Sequence, residues 1–353
     1  MKPVKNCLRA AENIFVAYDV VFRAVDAGSS VGERLPELFA ASWPSYRSWF
    51  LRDGEGARRS QDVGALALRR HMPELVGHYE ALVQAVGGGG LEARFLSHWA
   101  PPPVATACSL AVWNRDEKVL VRSYDYPAQL CDNTILASRW SGTRVLAMSD
   151  CLWGAVDGIN EHGLSIAIAF GGRQVVGEGF GVGLVVRYIL EVACDVREAL
   201  EILDRVPVSM AYNVALIDRA GVGAVVQVAP DRPTVVAPAL TAGNRQGWTE
   251  WPEHAAMCGT VEREEALALA MADPWSTAGS LVGQFLRPPV HRDPSASDWG
   301  TVYTAAYSPD LGTLDLLWPD DSWRLSLDAF VEGTKVRRVV GAPSLAALSP
   351  DLT

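Results

Sequence analysis

The chain has 353 residues, of which 49% are hydrophobic, and a formal net charge of −10. This length fits one large domain or two small ones, and the apolar share is ample for a large core. The negative charge argues against binding to nucleic acid or to an anionic membrane surface. No apolar run approaches the length of a transmembrane helix, so no membrane partner is expected.

The start of the chain is a poor signal peptide. Met1–Lys5 carries a little positive charge, but Arg9, Glu12, Asp19 and Arg23 interrupt the apolar stretch that follows. A secretory signal needs an unbroken apolar region. We therefore expect a cytoplasmic protein whose cysteines are reduced.

The first third of the chain is predicted to be helical. Residues 61–85 carry apolar side chains at helix-like spacing, interrupted at Met72-Pro73. Gly87–Gly90 ends this pattern, and a second helix is predicted over 91–98. The breaker run Pro101–Pro103 then separates this helical part from the strands that follow.

The remainder is predicted to alternate sets of strands with helices. Strands are predicted over 108–113, 118–124, 132–140, 143–149, 153–158, 163–170, 212–218, 222–229, 300–307 and 312–318. Helices are predicted over 182–192, 196–205 and 261–271, the last two capped by Asp195 and Thr260. The glycines between 171 and 183 lack the strand, spacing and acidic residue of a dinucleotide fingerprint, so no NAD site or other cofactor is expected.

Cys108 begins the first strand of a predicted hairpin whose turn is the polar run Asn114–Glu117. If Trp113 pairs with Lys118, Cys108 lies opposite Ser123. A slip of one residue would place it opposite Arg122. In either register a cation lies beside the thiol, and a neighbouring cation makes a thiol easier to ionise and more nucleophilic.

The other five cysteines are interpreted as small buried hydrophobic residues. They are Cys7, Cys131, Cys151, Cys194 and Cys258. No two cysteines have a C-x-x-C spacing, and the six histidines are scattered along the chain. Neither a zinc site nor a redox dithiol is therefore predicted.

An ordered set of motifs extends on both sides of this hairpin. The motifs are Cys108-Ser109, Arg122–Asp125, Gly158–Leu164, Tyr212–Asp218, Thr241–Asn244 and Thr260–Arg263. Together, and in this order, they resemble the isopenicillin-N acyltransferase group of the N-terminal-nucleophile hydrolases. That group is related to choloylglycine hydrolases and penicillin V acylases.

The resemblance implies an α+β fold, a four-layer αββα sandwich with a helical N-terminal leader. It also implies a cut on the amino side of Cys108, after which the free α-amine serves as the base for the thiol. An α-amine has a pKa of about 7.7–8.0 and can act near neutrality without a histidine. The expected division is therefore a helical segment over 1–107, a pro-segment or small subunit, and an αββα core over 108–353.

The resemblance also assigns roles to four further residues. Asp125 would hold the α-amine, Arg122 would stabilise the thiolate or its adduct, and Asn213 would stabilise the oxyanion. Arg263 matches a late arginine of the family site. Each has a structural alternative: a hairpin ion pair for Arg122 and Asp125, an asparagine satisfying its own turn, and an exposed arginine on a charged helix face.

Three departures from the family pattern stand out. Ala107 precedes the nucleophile where glycine is expected, and glycine eases the backbone strain of self-cleavage. Residues 166–170 are entirely apolar where relatives place a polar oxyanion donor. Gly243–Arg245 lacks the histidine that follows Thr-Asn in relatives.

The predicted function is that of an amidase or acyltransferase with Cys108 as nucleophile. It would act on a small-molecule amide or acyl thioester through a thioester acyl-enzyme, with no metal or cofactor. A non-catalytic or unprocessed binding or assembly protein on the same fold stays open, as does catalysis by an uncut cysteine. The sequence decides neither between hydrolysis and acyl transfer nor whether the chain forms a homo-oligomer.

Overall fold

A computed structural model describes residues 16–294 and 300–341 of the chain. Its helices are α1 Val31–Phe50, α2 Gln61–His71, α3 Val76–Ala85, α4 Gly90–Leu96, α5 Val182–Val192, α6 Val196–Arg205, α7 Pro252–Cys258, α8 Thr260–Ala272 and α9 Ala278–Gln284. Its strands are β1 Val16–Asp26, β2 Ala107–Asn114, β3 Lys118–Asp125, β4 Thr134–Ser138, β5 Val145–Asp150, β6 Gly154–Asn160, β7 Ser165–Phe170, β8 Tyr212–Ile217, β9 Gly223–Ala229, β10 Arg232–Val236, β11 Thr241–Ala242, β12 Thr301–Ser308, β13 Thr313–Trp318, β14 Asp321–Ser326 and β15 Gly333–Gly341. Every strand and helix predicted from the sequence is present, with ends within two residues of the prediction apart from the break between α2 and α3.

The strands form two sheets. A nine-stranded sheet has the order β10-β9-β8-β7-β6-β5-β4-β1-β15, and a six-stranded sheet has the order β11-β2-β3-β12-β13-β14. Strands β2 and β3 of the smaller sheet pack against β7 and β8 of the larger one. Helices α5 and α6 lie on the outer face of the larger sheet, and α8 and α9 lie on the outer face of the smaller one. The predicted α+β class and four-layer αββα arrangement are confirmed.

Strands β2 and β3 are buried on both faces, because a sheet covers one face and helices cover the other. Side chains alternate between the two faces of a strand. Cys108, Leu110 and Val112 accordingly join the core between the sheets. Ala111 and Trp113 join a second apolar cluster with α8 and α9.

The expectation of a wholly helical N-terminal segment is wrong, because residues 16–26 form strand β1. This strand pairs in parallel with β4 and antiparallel with β15 near the other end of the chain. Val20, Phe22 and Ala24 are buried while Asp19 and Arg23 are exposed, a period-two pattern typical of a strand. Strand β1 of the N-terminal segment is thus built into the larger sheet, and helices α1–α4 follow it.

Helix starts show how local chemistry fixes these elements. Asp195 accepts a 2.9 Å hydrogen bond from the Glu198 N–H and caps α6 as predicted. Thr260 does not cap α8: Gly259 occupies that position, and the Thr260 hydroxyl accepts from the Asn244 N–H at 2.6 Å. In the part of the chain that the structure describes, no helix has the length and apolar character needed to cross a bilayer.

Candidate active site

The β2–β3 hairpin places Cys108 opposite Tyr124. Both predicted registers, opposite Ser123 or Arg122, are wrong. Asn114 pairs with Lys118, so the turn is the three residues 115–117 and not the four predicted. A residue shares a face with the residue opposite it on the neighbouring strand and with the residues two positions away from that partner. Arg122 therefore lies diagonally across from Cys108, on the same inner face of the hairpin.

The Cys108 thiol is fully buried and lies 3.4 Å from Arg122 Nη2. Thr106 Oγ1 is the other hydrogen-bond partner within the described residues, at 3.9 Å. Burial raises the pKa of the Cys108 thiol, and the Arg122 charge opposes that rise. The predicted juxtaposition of cation and thiol is present, and the thiol is fully buried.

Arg122 is held from its far side. Its Nη1 donates to Asp157 Oδ2 at 2.5 Å and to the Tyr303 hydroxyl at 2.9 Å, while Nε donates to the Ile168 carbonyl at 2.8 Å. Its guanidinium also lies 4.3 Å above the Tyr124 ring. Asp157 was not among the site residues expected from the sequence. Its signal was one carboxylate within the otherwise uncharged strand β6.

Asp125 lies on the outer face of the hairpin, away from the thiol. Its Oδ2 accepts from Arg263 Nη1 at 2.8 Å, and its Oδ1 accepts from the Thr301 hydroxyl at 2.8 Å. Arg263 Nη1 also donates to Ser109 Oγ at 3.0 Å. Burial raises the pKa of Asp125, and the Arg263 charge opposes that rise. Arg263 is only 1% exposed, so the alternative of an exposed arginine on a charged helix face is wrong.

Asn244 joins the outer face to the Cys108 backbone. Its Oδ1 accepts from the Cys108 N–H at 3.0 Å and from Arg263 Nη2 at 2.9 Å. Its Nδ2 donates to the Phe170 carbonyl at 2.9 Å. A Cβ at Gly243 would lie 2.5 Å from Thr260 Oγ1, so glycine lets this loop approach α8. No role was expected for Asn244, although it lies in the motif Thr241–Asn244.

Asn213 is fully buried near the same loop. Its Nδ2 donates to the Gly243 carbonyl at 2.9 Å and to the Arg245 carbonyl at 3.0 Å. A side-chain amide has two N–H donors, and both are used here. Asn213 therefore braces the loop that presents Asn244, with neither donor free for an oxyanion in this conformation.

A cavity of about 680 Å³ adjoins the thiol site. Helix α1 and residues 101–106 of the N-terminal segment form one wall. Arg122, Tyr124 and Tyr212 line it from the two sheets. The cavity thus reaches from the arginine beside Cys108 to the N-terminal segment, and its lining mixes aromatic side chains with the carboxyls of Asp132 and Asp150.

Cys258 is a second buried cysteine near a buried arginine: burial raises the pKa of its thiol, and Arg263 opposes that rise. Cys258 Sγ lies 3.8 Å from His254 Nδ1, but both residues are buried, and burial lowers the pKa of His254 to about 4. Cys7 lies outside the described residues. Across residues 16–294 and 300–341, no group of three or more His, Cys, Asp or Glu side chains could hold a metal ion.

A family model supports the likeness drawn from the motifs. The model for acyl-coenzyme A:6-aminopenicillanic acid acyl-transferase matches residues 113–242. The match confirms the family resemblance over this span. It includes Arg122, Asp125 and Asn213, whereas Cys108 and Arg263 lie outside it.

Solved structures with a similar backbone fold include a hydrolase, an acylase and an amidase. A mutant conjugated bile acid hydrolase from Clostridium perfringens is 13% identical with a TM-score of 0.46, covering 65% of this chain and 96% of its own. Penicillin V acylase from Agrobacterium tumefaciens is 13% identical with a TM-score of 0.43, covering 65% and 90%. The Caenorhabditis elegans orthologue of N-acylethanolamine-hydrolyzing acid amidase is 15% identical with a TM-score of 0.45, covering 66% and 100%. No curated protein matches the chain.

Proposed function

We propose that this protein is an amide hydrolase or acyltransferase whose nucleophile is Cys108, activated by a cut between Ala107 and Cys108. The observation that carries the proposal is the pair of contacts at this residue. Arg122 Nη2 lies 3.4 Å from the sulfur, and Asn244 Oδ1 lies 3.0 Å from the backbone nitrogen. The nucleophilic atom and the nitrogen that would become its base each have a buried partner.

The activating step would be a self-cleavage of the peptide bond between Ala107 and Cys108. Cys108 Sγ loses its proton and attacks the Ala107 carbonyl carbon, forming a C–S bond. The C–N bond to Cys108 then breaks, and the departing nitrogen takes up a proton to become an α-amine. Water hydrolyses the thioester, which returns the thiol and leaves a carboxylate on Ala107. Ala107 lies in extended strand and pairs with Asp125, so no positive φ there demands glycine.

Turnover would use the same atoms. The neutral α-amine accepts the thiol proton, and Sγ attacks the substrate carbonyl. The leaving amine or thiol departs with a proton, and a thioester acyl-enzyme remains. Water then gives a carboxylic acid, whereas an amine acceptor gives a new amide. Asn244, positioned by Arg263, would hold the α-amine, Arg122 would stabilise the thiolate, and the adjoining cavity would receive the acyl group.

The experiment is the intact mass of freshly purified full-length protein, with Cys108→Ala as the control. We expect associated fragments of 107 and 246 residues from the wild type and one uncut chain from the variant. Turnover is followed with p-nitroanilides of short and long acyl chains, with hydroxylamine to trap a thioester. A wild-type chain that stays uncut yet hydrolyses these amides would replace the cut with an internal-cysteine mechanism.

One observation favours the second candidate, a non-catalytic binding protein on the same fold. In the continuous chain the thiol is fully buried and burial raises its pKa, so it is poorly placed to react with an external substrate. This candidate predicts an uncut chain, no hydroxylamine-sensitive acyl-enzyme, and no difference in these assays between the wild type and Cys108→Ala.

A further inference from the structure

Asp157 is a fully buried carboxylate that neither the motifs nor the roles above require. It lies on β6 of the larger sheet, whereas Cys108 and Arg122 lie on the smaller sheet. The ion pair between Asp157 and Arg122 therefore crosses the interface between the two sheets. Charged residues are rarely buried to this degree unless their partners are in place.

The donors of Arg122 are divided between two directions. An arginine has five N–H donors in a fixed planar fork. Both Nη1 donors go to the Asp157 and Tyr303 side, Nε goes to the Ile168 carbonyl, and Nη2 faces Cys108 Sγ. Because the fork is rigid, fixing Nη1 and Nε also fixes the direction in which Nη2 points.

Two tyrosines complete the support of Asp157. The Tyr303 hydroxyl accepts from Arg122 Nη1 and donates to Asp157 Oδ2 at 2.7 Å. The Tyr307 hydroxyl donates to Asp157 Oδ1. Both tyrosines are at most 1% exposed. The carboxylate is held at both oxygens and cannot readily follow a movement of the guanidinium.

We propose that Asp157 is a positioning residue that holds Arg122 against the Cys108 thiol, with Tyr303 bridging the two. The proposal rests on Cys108 being the nucleophile. A guanidinium left without this carboxylate is an uncompensated buried charge, which is strongly unfavourable. Arg122 borders the cavity described above, so its charged group has a nearby place to turn toward water. That movement would withdraw the cation from the sulfur and disfavour the thiolate.

The test is Asp157→Asn, read by ultraviolet absorbance of the Cys108 thiolate against pH. For each variant, the absorbance of the same variant carrying Cys108→Ser is subtracted. This removes the contribution of the tyrosines and the other cysteines. We expect the titration midpoint to rise, with about tenfold less thiolate at neutral pH. An unchanged or lowered midpoint would overturn the proposal, because the carboxylate would then merely oppose the Arg122 charge.

Asp218→Asn is the matched control. Asp218 is also a buried aspartate, but it accepts from the Val196 and Val222 N–H groups and not from an arginine. Its substitution should leave the thiol titration unchanged, and an equal shift in this control would overturn the assignment. If Asp157→Asn does not fold, Tyr303→Phe replaces it. That variant should raise the midpoint by a smaller amount, and no rise would again overturn the proposal.

The measurement does not depend on turnover. If the chain proves uncut or inactive, the proposed function fails, but the midpoint of the buried thiol still reports whether Asp157 acts through Arg122. If the protein is active and Asp157→Asn leaves the midpoint unchanged, only the positioning role fails. The two failures are therefore distinguishable.

Discussion

Two buried arginine–aspartate pairs lie on opposite faces of the β2–β3 hairpin. On the inner face, Arg122 pairs with Asp157 at 2.5 Å, between the two sheets. On the outer face, Arg263 pairs with Asp125 at 2.8 Å, between the smaller sheet and α8. All four side chains are at most 1% exposed, so burial alone does not distinguish the two pairs.

The pairs differ in what their remaining donors contact. The inner arginine, Arg122, donates from Nη2 to the Cys108 sulfur and borders the cavity. The outer arginine gives its donors to Ser109 and Asn244, and Asn244 holds the Cys108 nitrogen. One face thus contacts the thiol and the other contacts the backbone nitrogen of the same residue. The alternation of a strand separates roles that are contiguous in the sequence.

The largest expected effect is that of Cys108→Ala. It should abolish both self-cleavage and acyl transfer, because the sulfur is the attacking atom in each. Cys258→Ala is the matched control, since Cys258 is equally buried but belongs to the outer side. That variant should retain turnover with p-nitroanilides. Loss of activity in folded Cys258→Ala, with Cys108→Ala still active, would move the nucleophile to the other cysteine.

The next effect compares Arg122→Lys with Arg263→Lys, which keep the charge but lose the planar fork. One ammonium cannot reproduce the contacts of Arg122 to both Asp157 and Cys108. We expect about tenfold less Cys108 thiolate at neutral pH in Arg122→Lys. Arg263→Lys should slow self-cleavage, followed by intact mass against time, with a smaller change in thiolate. The reverse pattern would contradict the division of roles between the two faces.

The sequence could predict the hairpin and its residues because these signals are local. Cys108, Arg122 and Asp125 lie within one turn and two strands. Their distribution over the faces was not predictable with the same certainty, because a turn shorter by one residue changes the register. Asp125 was expected to hold the α-amine, but in the structure Arg263 and Asn244 lie between Asp125 and the Cys108 nitrogen.

The partners that complete the site come from distant parts of the chain. Asp157 reaches Arg122 across the stacked sheets, whereas Tyr303 comes from β12, which pairs with β3, and Asn244 from the loop after β11, which pairs with β2. No local periodicity encodes such contacts. The same reason explains strand β1, whose partner β15 lies near the other end of the chain. Local sequence patterns predicted the helices and strands, whereas the polar network depends on how distant strands and layers pack together.

Asn213→Ala tests a connection on the outer side of the site. The structure engages both Asn213 donors with loop 243–245, so the substitution should destabilise the protein by about 1–3 kcal/mol. Urea unfolding measures this change, and alkylation of Cys108 should be nearly unaffected. The family role predicts a different result, unchanged stability with acyl transfer slowed by about 10²–10³. Comparing the loss of stability with the loss of acyl-transfer rate decides whether Asn213 braces the loop or stabilises the oxyanion.

The smallest expected effect concerns Asp150, a carboxyl that lines the cavity and belongs to neither pair. Burial, and next the nearby Asp132 carboxylate, raise the pKa of Asp150 from 3.8 to about 7. In the unfolded chain this group loses its proton near pH 3.8, whereas the folded protein retains it until about pH 7. The unfolded state therefore binds fewer protons across this window, and stability falls as pH rises through it.

Asp150→Asn should remove that contribution and flatten the dependence of Tm on pH between about 4 and 7. Asp231→Asn is the control of opposite sign. Its hydrogen bonds from Arg173 lower the pKa of Asp231, so its stabilisation is lost only as pH falls below that window. The control should keep the wild-type slope between pH 4 and 7. If Asp150→Asn kept that slope as well, Asp150 would be ionised throughout this range, and burial would not raise its pKa to about 7.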